Sequence, residues 1–92
     1  MATFVLFGNY SMDAVKAISA KRSTQAMALV KKFGGEVKAG YALLGDVDIV
    51  LVVELPDNEH AMQLSAALMK LLGISFKTHP AVTFEQFDKL MA

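Results

Sequence analysis

The sequence predicts an α+β domain in the order β-α-β-β-α-β. Three features point there. Two apolar, β-branched runs open the chain and occupy its middle. A stretch of helical spacing comes after each of them, and two short apolar strands flank the central run. The chain has 92 residues, the size of one domain, so residues 1–92 are read as a single unit.

Thr3 to Tyr10 (TFVLFGNY) is aromatic and β-branched and reads as the first strand. Ser11 offers an N-cap, and Asp13 places negative charge in the first helical turn. Val15 and Ile18 start an apolar stripe that Arg22 interrupts, so the helical stretch is expected in two pieces, with a break near Ser19–Arg22 and a fresh cap at Ser23 or Thr24. Ala26, Leu29, Val30 and Phe33 continue it until Gly34-Gly35. Glu36 to Leu44 and Asp48 to Leu55 (DIVLVVEL) form a hairpin around Gly45-Asp46-Val47. Pro56-Asp57 stops the third strand and caps a helix carrying Ala61, Leu64, Leu68, Leu71 and Leu72 on one face, closed by Gly73. The fourth strand runs from Ile74 to about Phe84. Pro80 inside it requires an edge or a bend, because proline cannot donate to the ladder.

Right-handed crossovers place both helices on one face of a four-stranded antiparallel sheet, in spatial order 4-1-3-2. This is a ferredoxin-like sandwich. Side chains alternate along a strand. Ile49, Leu51, Val53 and Leu55 therefore point toward the helices, and Val50, Val52 and Glu54 point away. Val5, Phe7 and Asn9 share that outer face. An apolar face left bare marks an interface, so the chain is expected to pair with itself, as a dimer or a multiple of dimers. Hairpin parity places Lys38, Gly40 and Ala42 on the outer face, opposite Glu54, Val52 and Val50.

Composition narrows the function classes. Nine basic and nine acidic residues cancel, and no polybasic stripe offers itself to phosphates, which disfavours nucleic acid as a partner. There is no cysteine, so disulfides, thiolate chemistry and cysteine metal sites are excluded. No apolar run spans a bilayer and no leader pattern opens the chain, so no membrane partner is expected and the default location is cytoplasmic.

The candidate site residues come from topology. Asn9, Lys38, Glu54, Lys77 and His79 are expected to converge at one mouth of the outer face, on the reading that the first and third strands end together. They could hold an anionic or hydroxylated small organic ligand. The alternative is a structural Lys38–Glu54 ion pair across the hairpin. His79 is the better of the two histidines as an acid, base or ligand, but no second histidine stands at metal-ligand spacing, so no metal site is expected. His60 falls on the polar helix face. Arg22, at the helix break, could hold a carboxylate or phosphate; otherwise it bonds local carbonyls or Asp13. The hydroxyls of Tyr10 and Tyr41 could bind a ligand, or pack at a strand edge with a wet tip. Asp46 and Asp48 suit cation or acid–base chemistry, and equally the turn they flank. Gly34-Gly35 comes after a helix and is no phosphate loop, and the methionines read as core or interface filler.

The run Tyr41-Ala-Leu-Leu-Gly-Asp-Val-Asp-Ile-Val-Leu-Val-Val-Glu-Leu-Pro-Asp-Asn-Glu resembles the bacterial GYD domain family, with its Y-x-L-G-x-Y-D-hydrophobic-E-x-P-D pattern. Ser19-Ala20-Lys21-Arg22 is similar to that family's Ser-Pro-x-Arg segment. Val47 stands where the family has its signature tyrosine and Ala20 where it has proline, so no role of that tyrosine carries over. The resemblance implies a dimeric α+β barrel. Related barrels include cofactor-free monooxygenases, haem-handling enzymes and ligand-sensing modules, and fold alone does not choose among them. Three readings remain open: a homo-oligomeric small-molecule-binding or regulatory module, an enzyme without an organic cofactor in which His79, Asn9 or Tyr41 supplies acid–base groups, and a purely structural or interaction module. None of them calls for a cofactor.

Overall fold

A computed structural model describes residues 1–92. The elements are β1 (Ala2–Tyr10), α1 (Met12–Lys16), α2 (Ala20–Lys32), β2 (Glu36–Ala42), β3 (Ile49–Leu55), α3 (Asn58–Leu72), β4 (Ile74–Ala81) and α4 (Phe84–Met91). The sheet order is β2-β3-β1-β4, which is the expected 4-1-3-2 read from the other edge, and every neighbouring pair is antiparallel. No helix is long and apolar enough to cross a membrane.

The core is the seam between one sheet face and the two long helices. Phe4 and Leu6 of β1, Val53 and Leu55 of β3 and Ile74 of β4 meet Leu29 and Val30 of α2 and Ala61, Leu64, Leu68 and Leu72 of α3. The α3 set recurs at three- and four-residue spacing, so one stripe of the helix is buried and Gln63 and Lys70 stay in water. Each helix end has a local cause. Ser11, Ser19 and Asp57 accept the exposed backbone N–H groups of Ala14, Arg22 and His60. Gly73 closes α3 at φ 69°, a left-handed conformation that glycine adopts without strain. Ser65 and Thr78 share a 2.5 Å hydrogen bond that ties α3 to β4.

Four expectations need correction. The break between the helical pieces falls earlier than expected. Ser19, not Ser23 or Thr24, caps α2, and Arg22 sits in its first turn. The hairpin strands are shorter, ending at Ala42 and restarting at Ile49, and the connector between them holds Leu43 to Asp48. A β-bulge lies at Lys38: Val37 pairs with Val53 while Ala39 pairs with Val52. One extra residue reverses the side-chain alternation beyond it. Gly40 and Ala42 therefore fall opposite Leu51 and Ile49, on the helix side, and Ala39 and Tyr41 take the outer face opposite Val52 and Val50. Finally, β4 stops at Ala81. Thr83 then caps a further helix, with reciprocal Thr83–Gln86 hydrogen bonds, where the sequence predicts strand as far as Phe84.

Gly8 is fully covered, between Ile49 of β3 and Phe76 of β4. A methyl group there would fall on the Phe76 ring and on Ile49. Gly8→Ala is therefore expected to destabilise the fold by about 1–3 kcal/mol, the range for overpacking a tight site. Urea denaturation checks this, and an unchanged midpoint would count against it.

Asp57 caps α3 and bonds both the ring Nδ1 of His60, at 2.5 Å, and its backbone N–H, at 2.9 Å. The side-chain bond to His60 is the main cause holding the Asp57 carboxyl below its ordinary value of 3.8. A carboxylate favoured in the folded state stabilises it fully above that ordinary value, and the contribution disappears as pH falls through the lower folded value. Asp57→Asn is thus expected to flatten the loss of stability below about pH 4. Denaturation midpoints measured between pH 5 and pH 2.5 would reveal it, and parallel curves for the two proteins would contradict it.

Candidate functional site

The outer sheet face carries most of the candidate residues. Its register forms rows across the strands. His79, Val5 and Val52 lie side by side with Ala39, and Lys77, Phe7 and Val50 with Tyr41. Thr3 and Glu54 form the row at one end, beside Glu36, and Asn9 and Ser75 form the row at the other. The centre is thus apolar, made of Val5, Phe7, Val50 and Val52, all half-buried by their neighbours in the sheet. Polar side chains surround it.

The five outer-face candidates therefore share a face but not a mouth. β1 and β3 are antiparallel, so they do not end together, and Asn9 lies at the opposite end of the sheet from Glu54. Lys38 does meet Glu54. Its Nζ is 3.7 Å from Glu54 Oε1 and 3.6 Å from Glu36 Oε2, because the bulge turns Lys38 toward both carboxylates. These groups are partly exposed, so the cluster contributes a few tenths of a kcal/mol at most. His79 stands edge-on to the Phe7 ring, with centroids 5.6 Å apart and planes at 69°. Lys77 is exposed beside Phe7, and Tyr41 is exposed at the β2 edge.

Arg22 lies on the other side of the sheet. Its guanidinium donates a short hydrogen bond to the carbonyl of Leu72, the last residue of α3, fifty positions along the chain. The arginine thus bonds neither a local carbonyl nor Asp13. It takes part in none of the chain's ion pairs. Beside it a crevice of about 380 Å³ opens between α2 and the inner sheet face, and thirteen of its fifteen lining residues are hydrophobic. Ile18, Ala26 and Met27 wall one side, Leu51, Ile74 and Phe76 the other, and Gly40, Tyr41 and Ala42 of β2 form an edge. A smaller chamber of about 50 Å³, lined by Ser19 and Arg22, shares Tyr10, Ile18, Ser23, Ala26, Ile49 and Ile74 with it.

The crevice stays open on the β2 side because Gly40 and Ala42, opposite Leu51 and Ile49, carry almost no side chain. Those two small residues, Gly40 and Ala42, are conspicuous in the sequence, but the bulge that turns them inward is not.

Asp48 has a structural role. Its carboxylate accepts the Tyr10 backbone N–H at 3.0 Å, its own N–H donates to the Gly8 carbonyl at 2.9 Å, and its carbonyl accepts the Leu43 N–H at 2.8 Å. It fastens the hairpin connector to the end of β1, which is the turn chemistry open to an aspartate at that place. No three His, Asp or Glu side chains gather as a metal-binding group. His60 is engaged with the Asp57 cap.

These features can be set against known proteins. No curated protein matches the chain. Among solved structures, the leucine response regulatory protein LrpA of Mycobacterium tuberculosis superposes with a TM-score of 0.60 at 13% sequence identity, over 90% of this chain and 52% of that one. This chain thus spans about half the length of that protein, and at such low identity the likeness is one of fold. The family model described as GYD domain matches residues 4–91. Asp48, which the resemblance pairs with the aspartate of the family's Tyr-Asp pattern, anchors the hairpin connector to β1. With nearly its whole length matched, the chain belongs to the GYD domain family.

Proposed function

We propose that the chain works as a homo-oligomeric regulatory module that binds a small organic molecule, its copies meeting through the outer faces of their sheets. The observation that carries this reading is the bare apolar centre formed by Val5, Phe7, Val50 and Val52, with Lys38, Glu54, Tyr41, Lys77, His79 and Asn9 around it. An apolar centre inside a polar rim is the usual anatomy of a protein interface. Small domains gain stability from such pairing, since alone they bury little of their surface. The rim supplies both charges and hydroxyls for a hydroxylated or anionic ligand held at the edge of the joint. The regulatory part of the reading rests on analogy with the leucine response regulatory protein that shares the fold.

Val52→Glu tests the face. Val52 lies at the centre of the rows, between Val5 and Ala39. A carboxylate buried there without a partner costs several kcal/mol. In sedimentation equilibrium at micromolar concentration, the unaltered protein is expected as a dimer or a multiple of dimers, and Val52→Glu as a monomer of 10.0 kDa. Lys70→Glu, on the exposed side of α3, is the control and should leave the assembly unchanged. A monomeric unaltered protein, or a variant that assembles as well as the control, would sink the reading.

A further inference from the structure

The crevice on the helix side is separate from the outer face, and it combines two features that seldom meet without purpose. Its walls are apolar, from Ile18, Ala26, Leu51 and Phe76. The smaller chamber that shares six lining residues with it is lined by Arg22, partly buried and without a carboxylate partner. A guanidinium carries five N–H donors in a rigid fork that matches a carboxylate. The bond to the Leu72 carbonyl uses one nitrogen and holds the side chain in place. Tyr10 adds a further polar group, since it binds Asp48 through its backbone N–H and not through its hydroxyl.

We propose that this crevice is a binding site for a small amphipathic carboxylate, whose apolar body lies between α2 and the sheet and whose carboxylate pairs with Arg22. The volume, about 380 Å³, falls within the range of small-molecule pockets. The chemistry discriminates by charge. A neutral molecule of the same shape leaves the guanidinium without an anion, and an amine meets it as a like charge. Specificity along the apolar body is modest, because apolar walls distinguish chain lengths only weakly.

Three probes of equal length separate these terms: octanoate, octanol and octylamine, titrated calorimetrically at pH 7.5. Octanoate is expected to bind about tenfold more tightly than octanol, as a charge-assisted hydrogen bond implies, and octylamine more weakly than either. Arg22→Gln should erase the advantage of octanoate over octanol, and Arg22→Lys should restore part of it. Ala42→Phe, which fills the crevice from β2, should weaken octanoate and octanol alike. Backbone amide chemical shifts locate the site: Ile18, Ala26, Gly40 and Ile49 should move, and Val5 and Val50 should not. Equal affinities for octanoate and octanol would overturn the proposal, and that comparison needs no variant to fold. Shifts confined to Val5 and Val50 would overturn it too, while leaving association through the outer face intact. So would crevice shifts that depend on protein concentration alone and vanish once residues 84–92 are removed, because the crevice would then receive the terminal helix of a second copy.

Discussion

Two helices can shield one side of a four-stranded sheet, and both long helices of this chain lie on the same side. The rest of the molecule is arranged around that limit. On the shielded side, alternate residues of β1 and β3 are large and apolar, and they lock against the Leu stripe of α3 and the Leu29–Val30 step of α2. The same alternation sends Val5, Phe7, Val50 and Val52 to the unshielded side, where no element of the chain covers them. Strands that were polar on that face would make a soluble monomer at no cost to the core. An apolar outer face instead weakens the isolated domain, and it has a physical use only if something else covers it.

The bulge at Lys38 is the second organising feature. Without it, β2 would place Gly40 and Ala42 outward and the larger Tyr41 inward. With it, Gly40 and Ala42 present almost no side chain on the inner face, and a crevice opens beside them where a core would otherwise close. The bulge also turns Lys38 toward Glu36 and Glu54, so one inserted residue shapes both faces. It sits on an edge strand, where a local twist is tolerated and hinders further strands from pairing.

The share of this structure that residues alone reveal depends on the physics of each part. The parity of β1, β3 and β4 is legible because long β-branched runs alternate without interruption, and Lys77 and His79 lie on the face that parity assigns. Strand order and helix placement come from chirality and connection length. The convergence of Asn9 with Glu54 fails because it requires β1 and β3 to run in the same direction. A right-handed crossover from β1 to β2, with a hairpin after it, forces them to run oppositely. The hairpin parity fails because a bulge changes the alternation without any residue that announces it. Lys38 is an ordinary strand residue by type. α4 escapes the sequence reading although its signature is present: Thr83 and Gln86 stand at capping-box spacing. The sequence reading takes Pro80 as an edge or a bend inside one strand and so carries that strand on to Phe84. The crevice beside Arg22 is not legible at all, since it depends on the bulge and on a contact between α2 and the end of α3 that spans fifty residues.

Apolar supply and apolar burial are out of balance in this chain. Hydrophobic residues make up 54% of the sequence, yet only 13 of 92 residues are buried. Some of the surplus is spread singly over the surface, as at Met12, Leu44, Met62 and Leu71. The rest gathers on the outer sheet face, around the crevice at Ile18, Met27 and Tyr41, and along α4, where Phe84, Phe87, Leu90 and Met91 form one exposed arc on a helix with no buried residue. α4 projects from the end of β4, in a molecule that measures 48 × 29 × 18 Å. It starts beyond Ala81, at the opposite end of β4 from Ile74, which lines the crevice. An amphipathic helix held away from its own core is stable only when its apolar arc is covered. The same argument applies to the sheet face. Both surfaces are left bare in one copy, and the proposed pairing of copies would cover the sheet face.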